Sequence, residues 1–404
     1  MSILSGKKVL LGVSAGIAAY KTAFLVRLLI KTGAEVKVVM TPSAKDFVTP
    51  LTLSTLSKNP VHSEFFDQED ENQLWTNHVE LGLWADLMLI APLTANTLSK
   101  LASGTCDNLL TAVYLSAKCP VYVAPAMDLD MYKHGTTSEN LETIESRGNF
   151  VIPAGVGELA SGLSGQGRMA EPEDIVAFVE KQILQGLPLY GKNVMITAGP
   201  TFEAIDPVRY IGNHSSGKMG FSLAKTALDL GASVNLISGP THQKLEHQNL
   251  NRIPVVSAAE MYQASEAFFK GADIAIFSAA VADYTPIVVS DNKMKKQNDN
   301  LHIELKRTKD ILGTLGPQKS AEQFVVGFAL ETQDELNYAK DKMQRKNTDL
   351  MVLNSLRDPG AGFAGDQNKI TLISKRDIKE FELKSKAEVA SDIWSEILSL
   401  QYEV

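Results

Sequence analysis

Cysteine is almost missing from this chain: Cys106 and Cys119 are the only two in 404 residues. Two thiols in a chain of this length suggest a reducing compartment, not a disulfide scaffold or a zinc site, so the cytoplasm is expected. No apolar run reaches membrane-crossing length, and the opening residues pass from Met1 and Gly6 straight into a basic pair and a strand, so neither a membrane anchor nor a secretory leader is expected. Basic residues are in deficit as well, 39 Lys and Arg against 47 Asp and Glu, for a net charge of −8. That sign argues against a general nucleic-acid binder. Small molecules remain as the expected partners.

What is present is ordinary globular material, 44% hydrophobic and 21% charged, in a chain long enough for two domains. Residues 8–13 form a short apolar run typical of a buried parallel strand. Ser14, Ala15 and Gly16 turn the chain into a helix over 17–31, Gly33 sits where a C-terminal cap is expected, and 35–40 makes the next strand. Further strands are expected at 87–91 and 121–124. The pattern restarts after a hinge at 185–191 containing Pro188, Gly186 and Gly191. Strands follow at 193–197, 233–238, 273–278, 324–328 and 350–353, with a helix over 217–230. The expectation is an α/β protein of two doubly wound parallel sheets, with domains at 1–190 and 191–404.

In the first half, Gly12, Ser14 and Gly16 are small enough to let backbone N–H groups approach a phosphate at a helix start. Their spacing is not that of a dinucleotide fingerprint. His78 precedes a strand-leading segment, and the blocks from Ala91 to Thr97 and from Pro125 to Asp128 each leave a strand at its C-terminal end, where open α/β sheets hold ligands. Arg168 adds one cation in a glycine-rich loop. Cys106 reads as a packing residue.

Together Gly12–Lys21, Thr41–Ala44, Asn77–Leu81, Pro125–Met127 and Gly167–Met169 resemble the flavin-dependent phosphopantothenoylcysteine decarboxylases. The resemblance implies a flavodoxin-like domain binding FMN, with contacts near Ser14, Gly16, Ser43, Thr94, Pro125 and Met127, a catalytic base at His78, and an oxidation of the cysteinyl thiol that gives the carboxylate electrons a sink. Two positions depart from the family. Asp128 stands where an asparagine is usual, and when ionised it accepts hydrogen bonds but cannot donate them. Ser161 stands where many members have a proton-donating cysteine, and a hydroxyl is a far poorer acid than a thiol. Those departures leave open a second reading, an FMN-binding oligomeric scaffold with little or no decarboxylase activity.

In the second half, Gly212 to Lys218 fits a P-loop spacing, but Met219 replaces the required Ser or Thr and the motif comes too late after the strand. The stretch Thr197–Thr201, Ile205–Arg209 and Asn213–Gly217, with Ala279–Tyr284, Lys293–Lys296 and Gly327–Thr332, resembles the phosphopantothenate–cysteine ligases. The resemblance implies a Rossmann-like domain that uses CTP to make an acyl-cytidylate, which the amine of L-cysteine then attacks. Attack on an α-phosphate needs cations, and Lys293, Lys342 and Lys346 are the candidates, the last two on one helix face at i and i+4. Asp283 is expected to face the nucleotide through ribose or Mg2+. Phe277, Ser278, Ala279 and Phe328 are expected around the base, and Lys309, Asp310, Ile311 and Leu312 in a further contacting turn. Asn213 is the choice for holding the acyl intermediate, since an amide both donates and accepts. Lys295 and Lys340 read as solvated. The resemblance also implies homo-oligomers: trimers of the first half, dimers of the second, and together a dodecamer.

Overall fold

A computed structural model describes residues 2–66, 75–159, 161–295, 301–331, 334–355 and 365–402. The chain divides into two compact units, Met1–Leu184 and Gln185–Val404. Lys296 and Thr332, which belong to sequence blocks named above, lie outside the described residues.

The first unit is built on six parallel strands, β1 (Lys8–Val13), β2 (Glu35–Met40), β3 (Val61–His62), β4 (Leu87–Leu93), β5 (Val121–Pro125) and β6 (Phe150–Val151), in the order β3-β2-β1-β4-β5-β6. Every residue of β4 and β5 is buried, as strands covered on both faces must be. Helices α1 (Thr22–Lys31), α2 (Pro50–Ser57), α3 (His78–Trp84), α4 (Ala95–Ser103), α5 (Leu109–Ser116), α6 (Leu129–Lys133), α7 (Gly135–Ser146) and α8 (Pro172–Gln185) complete it, with a hairpin of β7 (Gly155–Glu158) and β8 (Ser164–Arg168). The expected helix over 17–31 begins instead as a 3₁₀ turn, Ile17–Lys21, before α1. Gly33 has φ +90, the left-handed cap expected after α1. The strand order reverses between β1 and β4, which opens a crevice at their C-terminal ends.

The second unit repeats the plan with β9 (Asn193–Ala198), a small hairpin β10 (Phe202–Ala204) and β11 (Tyr210–Gly212), α9 (Lys218–Asp229), β12 (Ser233–Ser238), β13 (Leu250–Pro254), α10 (Ala258–Phe269) and β14 (Ile274–Phe277). A second hairpin, β15 (Tyr284–Pro286) with β16 (Leu305–Arg307), leads to α11 (Ile311–Leu315), β17 (Phe324–Glu331), α12 (Glu335–Arg345) and β18 (Leu350–Ser355). The chain ends through β19 (Gln367–Asn368), β20 (Ile370–Ser374), β21 (Ile378–Glu380), β22 (Lys384–Ser385) and α13 (Lys386–Tyr402). The main sheet runs β13-β12-β9-β14-β17-β18-β20-β21. It is parallel up to β18, but β20 and β21 are antiparallel, so this sheet is mixed and not the purely parallel one expected. Its switch point lies between β9 and β14. The indole of Trp394 on α13, 1% exposed, donates to the Leu223 carbonyl at 2.9 Å and locks the last helix onto α9.

Candidate functional sites

A cavity of about 990 Å³ opens at the switch point of the first unit, walled by the turn after β1, the 3₁₀ turn Pro42–Asp46, α4 and the β8 end. Gly16, Ser43, Thr94, Met127, Asp128 and Arg168 all border it. A Cβ on Gly16 would come to 3.1 Å of Thr94 Cγ2, a tight contact where the two turns approach. Gly167 has φ +149, and a Cβ there would lie 2.5 Å from the Met127 carbonyl oxygen.

Three expected contacts are displaced. Gly12 is a packing residue, because its Cβ would meet Leu110 Cδ1 at 2.6 Å on the sheet face. Ser14 is fully buried: its hydroxyl donates to the Pro92 carbonyl at 2.7 Å and accepts from the Thr94 N–H at 3.1 Å, latching the two turns together. Pro125 ends β5 opposite Leu93, and the cavity begins at Ala126. Asp128 accepts from the Leu129 N–H at 2.7 Å, so one of its oxygens caps α6.

Sequence reasoning overlooked Thr41 and Lys21. Thr41 borders the cavity, and its Oγ1 is buried with no hydrogen-bond partner among the described residues. Lys21, 4% exposed, donates to the Met169 carbonyl at 3.0 Å and to Glu171 at 2.9 Å, with Arg168 on the same carboxylate at 3.0 Å. The Lys21 hydrogen bond is the main reason the Glu171 carboxyl is held below the usual range. An orphaned buried hydroxyl, a glycine-walled cradle and two cations beside one cavity fit a polyhydroxylated phosphate ester such as FMN.

His78 does not border this cavity in its own chain. It begins α3 under the Asn77 cap, with its ring 6.0 Å from Phe65 and 5.8 Å from Trp75, and its Nδ1 is buried without a partner among the described residues. Ser161 is exposed in the β7–β8 turn, two residues beyond Leu159 on the cavity rim, and its hydroxyl accepts from the Leu163 N–H at 3.4 Å. Cys106 is exposed, so it is not the packing residue expected.

The second unit has two adjoining cavities at its own switch point, sharing Ala279, Val281, Asp283, Phe328 and Lys342. One, of about 280 Å³, is bordered by Asn213, Ser278 and the start of α9. The other, of about 550 Å³, is bordered by Phe277, Lys309, Asp310, Ile311, Leu312 and Lys346. Lys342 also borders this cavity, but Lys346 caps the C-terminal end of α12 and does not share the helix face expected of it. Lys346 is also paired to Asp310 at 2.8 Å. Burial pushes the Asp310 carboxyl up, but Lys346 and the Gly313 N–H together carry it below its ordinary range. The Lys309 ammonium sits 3.5 Å from the Tyr262 ring centroid. Asn213 Nδ2 donates to the carbonyls of Ala280 at 3.1 Å and Val281 at 3.2 Å. Its donor face is occupied, so it offers only an acceptor to a ligand, a correction to the two-sided role expected. Lys293 is exposed and borders neither cavity.

Two lysines were missed. Lys218 opens α9 and pairs with Asp366 at 2.5 Å; Lys386 opens α13, is 4% exposed and borders the smaller cavity with Asn354 and Asn368. Burial pushes the Lys386 pKa down, and Lys218 adds to that. Nothing in sequence marks a lysine at the head of an amphipathic helix as buried. Among the described residues, Asp283 is the lone carboxylate bordering the smaller cavity, and no cluster of three metal-ligating side chains occurs. A Mg2+ carried mainly by phosphate oxygens, with one protein carboxylate, fits that arrangement. Nor is any helix among the described residues long and apolar enough to cross a membrane.

Comparison with known proteins matches each unit to a family model: residues 2–184 to "Flavoprotein" and residues 189–400 to "DNA/pantothenate metabolism flavoprotein C-terminal domain". The coenzyme A biosynthesis bifunctional protein CoaBC of Bacillus subtilis (strain 168) is 46% identical over 98% of this chain and 98% of its own. A cysteine/cysteine sulfinic acid decarboxylase of an unknown prokaryotic organism is 54% identical over 87% of this chain and 99% of its own. The crystal structure of the C-terminal domain of a CoaBC protein is 38% identical, covering 54% of this chain and 100% of that one, with a TM-score of 0.46.

Replacing Thr41 with the isosteric Val checks the first cavity. The apoprotein is expected to be no less stable, because an orphaned buried hydroxyl costs free energy, while FMN affinity falls about 3–10-fold for the lost hydrogen bond. Thermal melting of the apoprotein and flavin fluorescence titration measure the two.

Proposed function

The chain belongs to the family of bifunctional coenzyme A biosynthesis proteins, and from that premise we propose which of its residues carry each reaction. The enzyme joins cysteine to phosphopantothenate and then decarboxylates the product, phosphopantothenoylcysteine, to phosphopantetheine, with FMN serving the second step. We assign decarboxylation to residues 1–190 and ligation to 191–404. What carries this division is that each unit has its own cavity at a sheet switch point, the first roomy with an unsatisfied hydroxyl and the second ringed by lysines.

In the ligase, the phosphopantothenate carboxylate needs activation because its oxygen is a poor leaving group. Attack on the α-phosphate of CTP forms the acyl-cytidylate and releases pyrophosphate. Lys342 and Lys346 stand where they can neutralise charge that grows on the triphosphate. Lys218, Lys386 and the start of α9 offer a second cationic end for the phosphate of phosphopantothenate. Asp283 would hold Mg2+, which supplies further charge neutralisation on the triphosphate. Asn213 fixes the 280–281 backbone and presents Oδ1 as an acceptor for the incoming cysteine amine. Lys293 joins the reaction from the loop outside both cavities. A direct test supplies CTP, ATP or GTP and follows pyrophosphate: CTP is expected to be preferred at least about tenfold, and equal use of ATP would overturn the cytidine reading.

In the decarboxylase, Gly16, Ser43, Thr94 and Thr41 would hold FMN, with Arg168 and Lys21 supplying positive charge at the cavity wall. When bound, FMN supplies a two-electron acceptor and donor for the cysteinyl carbon–sulfur unit. His78 is the proton-moving base. Because it lies outside the cavity of its own chain, it reaches the reaction from a second copy. Exposed Ile17, Tyr20 and Phe24, next to the cavity turn, offer an apolar surface for that copy. Trimers of this unit, dimers of the other and a combined dodecamer follow as the proposed assembly, in the cytoplasm, where free Cys106 and Cys119 remain reduced. The relative named as a cysteine and cysteine sulfinic acid decarboxylase favours a second reading, in which the same cavity also accepts free cysteine. CO2 release from cysteine without phosphopantothenate or CTP would support it.

A further inference from the structure

The segment bearing Lys293 is tied down one residue later by a carboxylate that solvent does not reach. Asp206 lies between β10 and β11, and its side chain is 0% exposed. Oδ1 accepts from the N–H groups of Val208 and Arg209, each at 2.8 Å. Oδ2 accepts from Arg209 Nε at 3.0 Å and Nη2 at 2.6 Å, and from the Met294 N–H at 3.1 Å. Arg209 Nη2 donates in turn to the Met294 carbonyl at 2.8 Å. Both backbone polar groups of Met294 are therefore held by one Asp–Arg pair. Upstream, the Ser290 N–H donates to the Ile205 carbonyl at 3.0 Å, and the Ser290 hydroxyl to the Asn292 carbonyl at 2.7 Å. Residues 290–295 belong to no helix or strand, so these bonds help to set the backbone there. The Arg209 bonds foremost hold the Asp206 carboxyl far below the ordinary carboxylate range, so the anchor stays ionised wherever the enzyme works.

We propose that Asp206, acting with Arg209, is the positioning residue for the Lys293 ammonium in ligation. Clamping Met294 fixes the point from which Lys293 extends, and a long flexible side chain is effective on a phosphate only if its base is held. A shift of about 1 Å in such a group can cost on the order of 100-fold in rate. The proposal rests on the role given to Lys293 above, and the test separates the two.

In the full-length enzyme, Asp206→Asn keeps the size but sets an NH2 against N–H donors. Pyrophosphate release with phosphopantothenate and CTP is expected to show kcat lower by about 30–100-fold, with KM for both within about threefold. Adding Lys293→Gln to Asp206→Asn is expected to cost less than about threefold more, since the lysine is already misplaced. Hydrogen exchange at the Met294 amide should quicken at least about tenfold while β9 and β14 keep their protection, which also shows that the variant folds. Arg209→Lys serves as the second variant, keeping the charge but losing the fork, with a smaller loss of kcat. A large loss in Lys293→Gln beside wild-type kcat in Asp206→Asn would overturn the anchor alone, as would additive losses in the double variant. Full activity in Lys293→Gln would overturn the reading of Lys293, and the anchor with it.

Discussion

Lys342→Met is expected to lower ligation by roughly 10²–10³-fold, the usual cost of removing a charge donor from a developing phosphoryl transition state. Lys342 is singled out because it borders both cavities of the second unit. Methionine keeps the unbranched stem, so α12 and its packing of Ala339 and Met343 should persist. Pyrophosphate release reports the effect. Decarboxylation of added phosphopantothenoylcysteine, at a cavity in the other unit, should stay within about twofold, since sites without shared lining residues behave independently. Loss of both activities would mean that the variant misfolds or that the reactions share a site.

His78→Asn is expected to reduce decarboxylation by roughly 10²–10⁴-fold, the range for a lost general base, while FMN stays bound. The flavin should be retained because His78 makes no part of the cavity in its own chain. Its imidazole lies against Phe65 and Trp75 with Nδ1 buried, so the ring is held in place. Mixing His78→Asn with a variant crippled at the cavity, such as Gly167→Val, adds a second readout. If the base comes from another copy, mixed oligomers regain part of the activity that neither parent has. No recovery would place the base and the cavity in one chain, or exclude His78.

Much of this was legible in the sequence because buried parallel strands read as apolar runs. The strands at 8–13, 35–40, 193–197 and 233–238 announce themselves that way, and Gly33 marks a helix end by its left-handed φ. The antiparallel edge formed by β20 and β21 did not, since short edge strands such as Ile378–Glu380 carry no buried run. At the sites, composition told which residue types were near but not which way they face. Ser14 sits in the right turn, yet its hydroxyl is committed to Pro92 and Thr94. Gly12 is small for the sake of Leu110. Asn213 has the right chemistry, but its NH2 holds backbone carbonyls. Lys386 looks like any solvated lysine until the fold buries it beside Lys218, and Thr41 gains interest only because its hydroxyl is left without a partner.

The central claim is that two reactions run in series on one chain from two separate cavities. Supplying phosphopantothenate, cysteine, CTP and Mg2+ to the purified FMN-loaded enzyme and following all products by mass spectrometry tests it most directly. The account predicts CMP, pyrophosphate, CO2 and phosphopantetheine, with phosphopantothenoylcysteine passing through as a transient. Phosphopantothenoylcysteine that accumulates without CO2 would contradict the decarboxylase, and cytidine triphosphate left unconsumed would contradict the ligase.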